Sequence, residues 1–385
     1  MTRIGIHDLE LATTHYVVDL GALAEAADIN PNKYRIGLGQ DEMSFPAPDE
    51  DIVTMGAAAA LPILQRHGTD GVRTLIFATE SGVDQSKSAG VYVHRLLGLP
   101  PQVRVVEFKQ ACYSGTAALQ AAIGIISRSP AERVLIIASD VARYELDSPG
   151  EPTQGAGAIA MLISADPALV EIEPLSGLFT ADVDDFWRPN DSSTAVVDGA
   201  LSVSAYLDAL TGAWDDLAGR GGPAIDDVHR VLYHQPFTKM ASKAHIKLAR
   251  HLGVKLDVED LVSSSVYNRR LGNIYTASLY SGLLSLLNHE EDLAGRRVAL
   301  FSYGSGSVSE LLTGIVQSGY WDPARAERAQ ATLDARVPLD VITYRELHDA
   351  ESDSDVDYHL PPTTDAPFRF TGISGRARHY EARTQ

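Results

Sequence analysis

The chain is predicted to fold as an α/β protein of two duplicated halves. Two observations carry this: short β-rich runs alternate with longer helical ones, and the series begins again past the middle of the 385 residues. In the first half, residues 4–6, 74–79, 103–108 and 134–138 are rich in Ile, Val, Leu, Phe and Thr, the composition of strands. Between them, 50–66, 91–97 and 116–127 are longer and read as helices. A further strand at 155–163, Gly-Ala-Gly-Ala-Ile-Ala-Met-Leu-Ile, closes this half near residue 165. In the second half, 228–233 and 298–303 read as strands, and 238–252 and 277–287 as helices. The division is therefore placed at 1–165 and 166–385. The strongest internal echo sets Ala111-Cys-Tyr-Ser-Gly-Thr-Ala-Ala-Leu against Gly272-Asn-Ile-Tyr-Thr-Ala-Ser-Leu-Tyr. Both pass from a small residue and a polar headgroup into a helix of small residues. Such helices can pack back to back, which would bring Cys112 and Asn273 to one site. Residues 175–214, with Trp187-Arg-Pro-Asn, are less regular and are expected to form an insertion over the sheet. Beyond Trp321 the chain turns polar and charged. There Glu351-Ser-Asp-Ser-Asp-Val-Asp is expected to be an exposed loop and 368–373 an edge strand, with little chemistry.

Composition narrows the function. With 45% hydrophobic and 22% charged residues, the chain can build the core of a soluble globular enzyme. A net charge of −19 excludes nonspecific binding to nucleic acid or anionic membrane, because such surfaces need a basic footprint. No apolar run approaches a membrane span, acidic residues lie within the first ten positions, and a lone cysteine suits a reducing compartment, so a cytoplasmic location is expected. An anionic ligand must be gripped locally. Lys239, Lys243 and Lys247 recur every fourth residue along the 238–252 helix and form a row that could meet phosphates.

Four polar groups stand at strand ends, where open α/β sheets bind ligands: Glu80, Cys112, His234 and the Gly304-Ser-Gly turn. Cys112 is the only cysteine, so it can form neither an internal disulfide nor a cysteine-based metal cage. Its place before a helix points to a nucleophile, since a helix N-terminus favours thiolate over thiol, although a lone cysteine can also serve as a small buried hydrophobe. His234 can stabilise a thiolate or give a proton to a carbonyl oxygen. Glu80, if enclosed, would have a raised pKa and could take a proton from carbon beside a thioester. Asn273 either hydrogen-bonds a carbonyl or caps the following helix. The glycines at 304 and 306 can bring backbone N–H groups against an oxyanion.

Six segments resemble the 3-hydroxy-3-methylglutaryl-coenzyme A synthases of the thiolase superfamily, in their bacterial form. They are Phe77-Ala-Thr-Glu-Ser, Lys109-Gln-Ala-Cys-Tyr-Ser-Gly-Thr-Ala-Ala-Leu, Ser148-Pro-Gly-Glu-Pro-Thr-Gln-Gly-Ala-Gly-Ala, Tyr233-His-Gln-Pro-Phe-Thr-Lys-Met, Gly272-Asn-Ile-Tyr-Thr-Ala-Ser and Ser302-Tyr-Gly-Ser-Gly-Ser. The resemblance implies a thiolase-like fold with a layered αβαβα core. It also implies an acyltransferase that condenses acetyl-CoA with acetoacetyl-CoA in the mevalonate route to isoprenoids. Cys112 would carry the acetyl group, Glu80 would remove its methyl proton, and His234 would hold and protonate the ketone oxygen. Asn273 matches the asparagine near the acetoacetyl group, the Ser305 backbone matches an oxyanion donor, and Tyr144 and Asp185 match pocket positions. Lys239 and Lys243 match lysines beside the coenzyme A tunnel. The resemblance further implies a homodimer and no metal or redox cofactor. Two cations at Arg269 and Arg270, just before Gly272, depart from the more neutral stretch expected there.

Alternatives within the fold are a synthase of polyketide β-branching that uses an acyl carrier protein, and a ketoacyl synthase III-type enzyme. Glu80 separates the latter, because decarboxylation makes its own carbanion and needs no such base. An inactive acyl-CoA-binding subunit and a cysteine hydrolase are the readings from other classes. The first gives no reason for an intact Cys112, Glu80 and His234, and the second none for the lysine row.

Overall fold

A computed structural model of the chain describes residues 2–350 and 356–383. The first half contributes β1 (Ile4–Thr13), α1 (Ile52–His67), β2 (Val72–Ala78), α2 (Ala89–Leu96), β3 (Arg104–Phe108), α3 (Ser114–Arg128), β4 (Arg133–Val141) and β5 (Ala156–Ala165). The second contributes β6 (Val170–Thr180), α4 (Gly199–Gly219), β7 (Arg230–Tyr233), α5 (Thr238–Leu252), α6 (Ser278–His289), β8 (Arg297–Gly304) and β9 (Val308–Val316). Their strands are hydrogen-bonded in the order β7-β8-β9-β6-β1-β5-β4-β2-β3. Outward from the β1–β6 junction, β1-β5-β4-β2 and β6-β9-β8-β7 repeat the same senses: antiparallel, antiparallel, parallel. The duplication inferred from composition is thus present in the pairing. β3 adds one more parallel strand at the outer edge of the first half.

Alternation of side chains along the strands builds the layers. In β4, Val134, Ile136 and Ala138 enter a cluster with α3 and α6, whereas Leu135 and Ile137 enter another with α1 and α2. In β8, Val298 and Leu300 join the same central cluster, while Ala299 and Phe301 pack with α4 and α5. Helices therefore cover both outer faces and fill the middle, giving the αβαβα order. α6 is buried from Ser278 through Asn288, which its uncharged sequence Ser-Leu-Tyr-Ser-Gly-Leu-Leu-Ser-Leu-Leu permits. Each leucine so enclosed contributes about 1.5–3 kcal/mol. α3 approaches closely through Gly115, where a Cβ would lie 2.9 Å from the Thr276 carbonyl oxygen.

The repeat differs from the sequence echo in register. Ala111 and Tyr275 share a left-handed backbone, with φ of 43° and 44°, and each stands three residues before its helix. Cys112 is thus matched by Thr276, and not by Asn273. The turn at Gly272, with φ of 78°, sets Asn273 ahead of the repeated unit.

Three further expectations change. β6 continues to Thr180 and α4 begins at Gly199, so the irregular insertion is only 181–198, and it contains a hairpin of Phe186–Trp187 with Val196–Val197. α4 is held by the buried stripe Tyr206, Ala209, Leu210, Ala213, Trp214 and Leu217, a helical period. Residues 368–373 lie in the middle strand, not the edge, of a separate antiparallel sheet formed by Tyr358–His359, Phe368–Ser374 and Ala377–Ala382. This sheet packs Phe368, Phe370, Ile373 and Tyr380 into the cluster of α1 and α2. Of the acidic loop, 351–355 fall outside the described residues, and Val356 and Asp357 are exposed. Among the described residues no helix is long and apolar enough to cross a membrane.

Candidate active site

Glu80 follows β2, Cys112 follows β3, His234 follows β7 and Ser305 follows β8, so the four strand ends do converge. Cys112, Tyr144, His234, Asn273 and Ser305 line one cavity of about 590 Å³. Glu80 adjoins this cavity through Cys112, and its Oε1 accepts a hydrogen bond from the Cys112 thiol at 3.1 Å. Asp185 is fully buried and holds the Gly304-Ser-Gly turn. Its Oδ1 accepts from the Gly306 N–H at 2.8 Å and its Oδ2 from the Tyr303 hydroxyl at 2.8 Å.

The electrostatics overturn one expectation. Cys112 occupies a single 3-10 turn ahead of α3, yet its thiol is pushed well above its ordinary value, first by burial and then by the Glu80 carboxylate. The helix N-terminus does not make a resting thiolate. Burial, with buried Asp140 adding repulsion, also pushes Glu80 up to about 8, while the Cys112 hydrogen bond and the Arg188 charge oppose it. The pair is coupled, and the carboxyl is the first of the two to give up a proton. His234 is 3% exposed, its Nδ1 has no partner among the described residues, and burial lowers its pKa to about 3. It is therefore a neutral imidazole at physiological pH. Such a ring polarises a carbonyl by hydrogen bonding and does not bring a resting positive charge.

Asn273 meets the reading that ties it to the turn ahead of α6, and it also reaches the cavity wall at Tyr144. Its Oδ1 accepts from the Tyr275 N–H at 3.0 Å, and its Nδ2 donates to the Tyr144 hydroxyl at 3.3 Å. Gly304 is required by close approach, since a Cβ there would meet the Gln110 carbonyl oxygen at 2.5 Å and the Tyr113 backbone N at 2.8 Å. The Gly304-Ser-Gly turn and the Cys112 loop can touch only because that side chain is absent.

Sequence reasoning missed Asp140, at the end of β4. It is fully buried, and its Oδ1 accepts from the Thr79 hydroxyl, the Ser81 hydroxyl and the N–H groups of Glu80 and Ser81. Its Oδ2 accepts from the Thr276 N–H and hydroxyl. One carboxylate thus ties the Glu80 loop to Thr276, the counterpart of Cys112. The signal was available, because Ser139-Asp140 stands at a strand end like the four groups chosen. Tyr275 and Phe186 were missed as well. With Tyr144 they form the aromatic wall around Cys112.

The lysine row divides. Lys239 lies in a neighbouring cavity of about 580 Å³ with Arg35, Arg269 and Arg270. Lys243 sits 5.3 Å from the Phe237 ring, which lines the main cavity, and Lys247 pairs with Asp208 at 3.5 Å. The two cavities adjoin, because Leu38 and Phe237 line the first while Gly39, Thr238 and Lys239 line the second. The cations that departed from expectation are engaged, Arg269 with Asp41 and Arg270 with Glu42 and Asp334.

A thiol backed by a carboxyl poised near pH 8, facing a cavity at the strand ends of a five-layer duplicated fold, suits proton removal from carbon beside a thioester. Fold and site define a condensing acyltransferase of the thiolase-like class. The N-terminal family of hydroxymethylglutaryl-coenzyme A synthase matches residues 2–168, and the C-terminal family matches 170–252 and 254–344. The chain belongs to the hydroxymethylglutaryl-coenzyme A synthase family. It is 38% identical to the hydroxymethylglutaryl-CoA synthase of Enterococcus faecalis, covering 98% of this chain and 99% of that one. A crystal structure of an HMG-CoA synthase complexed with CoA superposes with a TM-score of 0.92 at 38% identity, covering 99% of this chain and 100% of that one. The polyketide 3-hydroxy-3-methylglutaryl-ACP synthase PksG of Bacillus subtilis is 32% identical, covering 90% of this chain and 88% of its own.

Proposed function

We infer that the enzyme joins acetyl-CoA, acetoacetyl-CoA and water to give 3-hydroxy-3-methylglutaryl-CoA and free CoA. The observation that carries this is the contact of the Cys112 thiol with a carboxyl whose pKa is raised to about 8. Glu80 takes the thiol proton as Cys112 attacks the acetyl thioester, then passes it to the departing CoA sulfur. The carboxylate next removes a methyl proton from acetyl-Cys112, made acidic by the thioester, and the enolate oxygen is held by the backbone N–H groups of Cys112 and Ser305. Carbon–carbon bond formation at C3 of acetoacetyl-CoA creates an alkoxide. His234 polarises that oxygen and relays to it the proton gained by Glu80. Water then cleaves the bond to Cys112, with Glu80 taking a proton from the water and the thiol being restored.

Lys239 and Arg35 line the adjoining cavity and Lys243 lies over the Phe237 ring, and these cations are suited to the phosphates of coenzyme A. Thioester chemistry supplies the activation, so this reading assigns no metal or redox cofactor. It also places the enzyme in the cytoplasm as a homodimer, in the mevalonate route. The similarity to E. faecalis synthase, 38% against 32% for PksG, favours a free CoA acceptor over a carrier-bound one. Intact-mass spectrometry after incubation with acetyl-CoA should show an acetyl adduct on Cys112, discharged by acetoacetyl-CoA with release of 3-hydroxy-3-methylglutaryl-CoA. No adduct, or condensation by Cys112→Ser, would overturn the reading. Faster discharge by acetoacetyl-carrier protein than by acetoacetyl-CoA would assign the carrier-dependent function instead.

A further inference from the structure

We propose that Phe186 sets the length of the acyl group that Cys112 accepts, by closing a cage of three aromatic rings beside the thiol. The proposal rests on the reading of Cys112 as the acyl-carrying nucleophile. Ring centroids of Tyr144 and Phe186 are 6.0 Å apart, those of Tyr144 and Tyr275 are 6.4 Å apart, and those of Phe186 and Tyr275 are 5.9 Å apart. All three pairs are edge-to-face, at 79°, 80° and 69°, an arrangement of mutual contact. With Cys112, Ala142 and Ala195 the rings form a small cluster separate from the layers of the core. The three rings and Cys112 line the same cavity, so the tail of an acyl group on the thiol faces this wall.

Two of the rings are fastened. The Tyr144 N–H donates to Gln154 Oε1 at 2.7 Å, and its hydroxyl accepts from Asn273. The Tyr275 N–H donates to Asn273 Oδ1, and its backbone is the left-handed one that leads into α6. Phe186 is paired with Val197 along the backbone and differs at its side chain. It is half-buried, carries no side-chain polar atom, and comes from the hairpin above the sheet. Shortening it leaves no side-chain hydrogen bond broken. Its neighbour Asp185 is tied to Gly306 N and the Tyr303 hydroxyl, so the ring is held in register with the Ser305 turn. The turn holds the thioester oxygen, and the next residue along the hairpin limits the tail.

In the acylation step a bond forms between Cys112 Sγ and the thioester carbonyl carbon, the bond to the CoA sulfur breaks, and the thiol proton ends on CoA. That chemistry is the same for acetyl, propionyl and butyryl thioesters, so only the cage distinguishes them. One extra methylene in a closed apolar pocket changes selectivity about 10–200-fold.

The test is the rate of adduct formation, read by intact mass, with acetyl-, propionyl- and butyryl-CoA on the unsubstituted protein, Phe186→Leu and Phe186→Ala. The unsubstituted protein should favour acetyl over propionyl by at least tenfold. That ratio should fall about tenfold in Phe186→Ala and by an intermediate amount in Phe186→Leu. Partial misfolding lowers all three rates together and leaves the ratio readable, and Phe186→Leu supplies a conservative second reading. Normal acetylation with an unchanged ratio in both variants overturns the cage alone. Absence of any adduct on the unsubstituted protein overturns the acyl-cysteine reading beneath it.

Discussion

The Sγ of Cys112 lies 3.1 Å from Oε1 of Glu80, a residue 32 positions earlier in the chain and held by a different strand. The two acids therefore titrate as a pair whose first proton leaves the carboxyl. Thiol and carboxyl form one hydrogen-bonded unit beside the cavity that Cys112 lines.

With Glu80 as the base, condensation needs its carboxylate, whose pKa is raised to about 8, so the rate should rise with pH up to about 8 and level off above it. Glu80→Gln should retain slow acetylation of Cys112 and lose condensation by a factor on the order of 10³. It should also speed thiol alkylation at a given pH, because the carboxylate that raises the thiol is gone. The folded-state pKa of Glu80 lies above its ordinary value, so the folded protein binds the extra proton and stability is lost as pH rises through about 8. The gain in Tm from Glu80→Gln should accordingly be larger at pH 9 than at pH 5. A Tm gain independent of pH would contradict the shift.

His234 is neutral above about pH 3, so its ionisation should leave no limb near pH 6–7 in the pH–rate profile. His234→Ala should slow condensation about 10²–10⁴-fold while acetylation of Cys112 persists. Mass spectrometry of the trapped adduct separates the two steps.

Asp140→Asn replaces an acceptor of donors from Thr79, Glu80, Ser81 and Thr276 with a group that can accept on one side only. The expected loss of stability is about 1–3 kcal/mol, read by denaturant unfolding. A purely structural role would stop there. Asp140 also raises Glu80, so the rising limb of the pH–rate profile should move to lower pH in Asp140→Asn.

Gly304→Ala forces a Cβ to within 2.5 Å of the Gln110 carbonyl oxygen, and the turn must separate from the nucleophile loop. The cost is about 1–3 kcal/mol in stability. Misplacing Ser305 by an ångström costs about 10²-fold in rate, measured as kcat for condensation. Stability loss with unchanged kcat would show that the close approach serves packing alone.

Alternation of strand and helix, the duplicated halves and the strand-end positions of Glu80, Cys112, His234 and Ser305 were legible in the chain, because each depends on local composition and period. The register of the repeat was not. Gly272 turns the backbone before Asn273, so the unit equivalent to Ala111-Cys-Tyr-Ser is Tyr275-Thr-Ala-Ser, and only the shared positive φ reveals it. α4 was hidden inside a stretch judged irregular, although its buried stripe follows a helical period.

Residue types and their spacing alone determined the chemistry available: one thiol, a carboxyl, an imidazole and a glycine turn, each at the end of a β-rich run. Only the tertiary structure decided the protonation of these groups. A helix start favours a thiolate by local field, but burial removes water from Cys112 and places an acidic side chain 3.1 Å away, and these two effects prevail. The same burial neutralises His234 and raises Glu80 to about 8. Solvation and through-space charge depend on neighbours brought from elsewhere in the chain, so they arise only when the layers close.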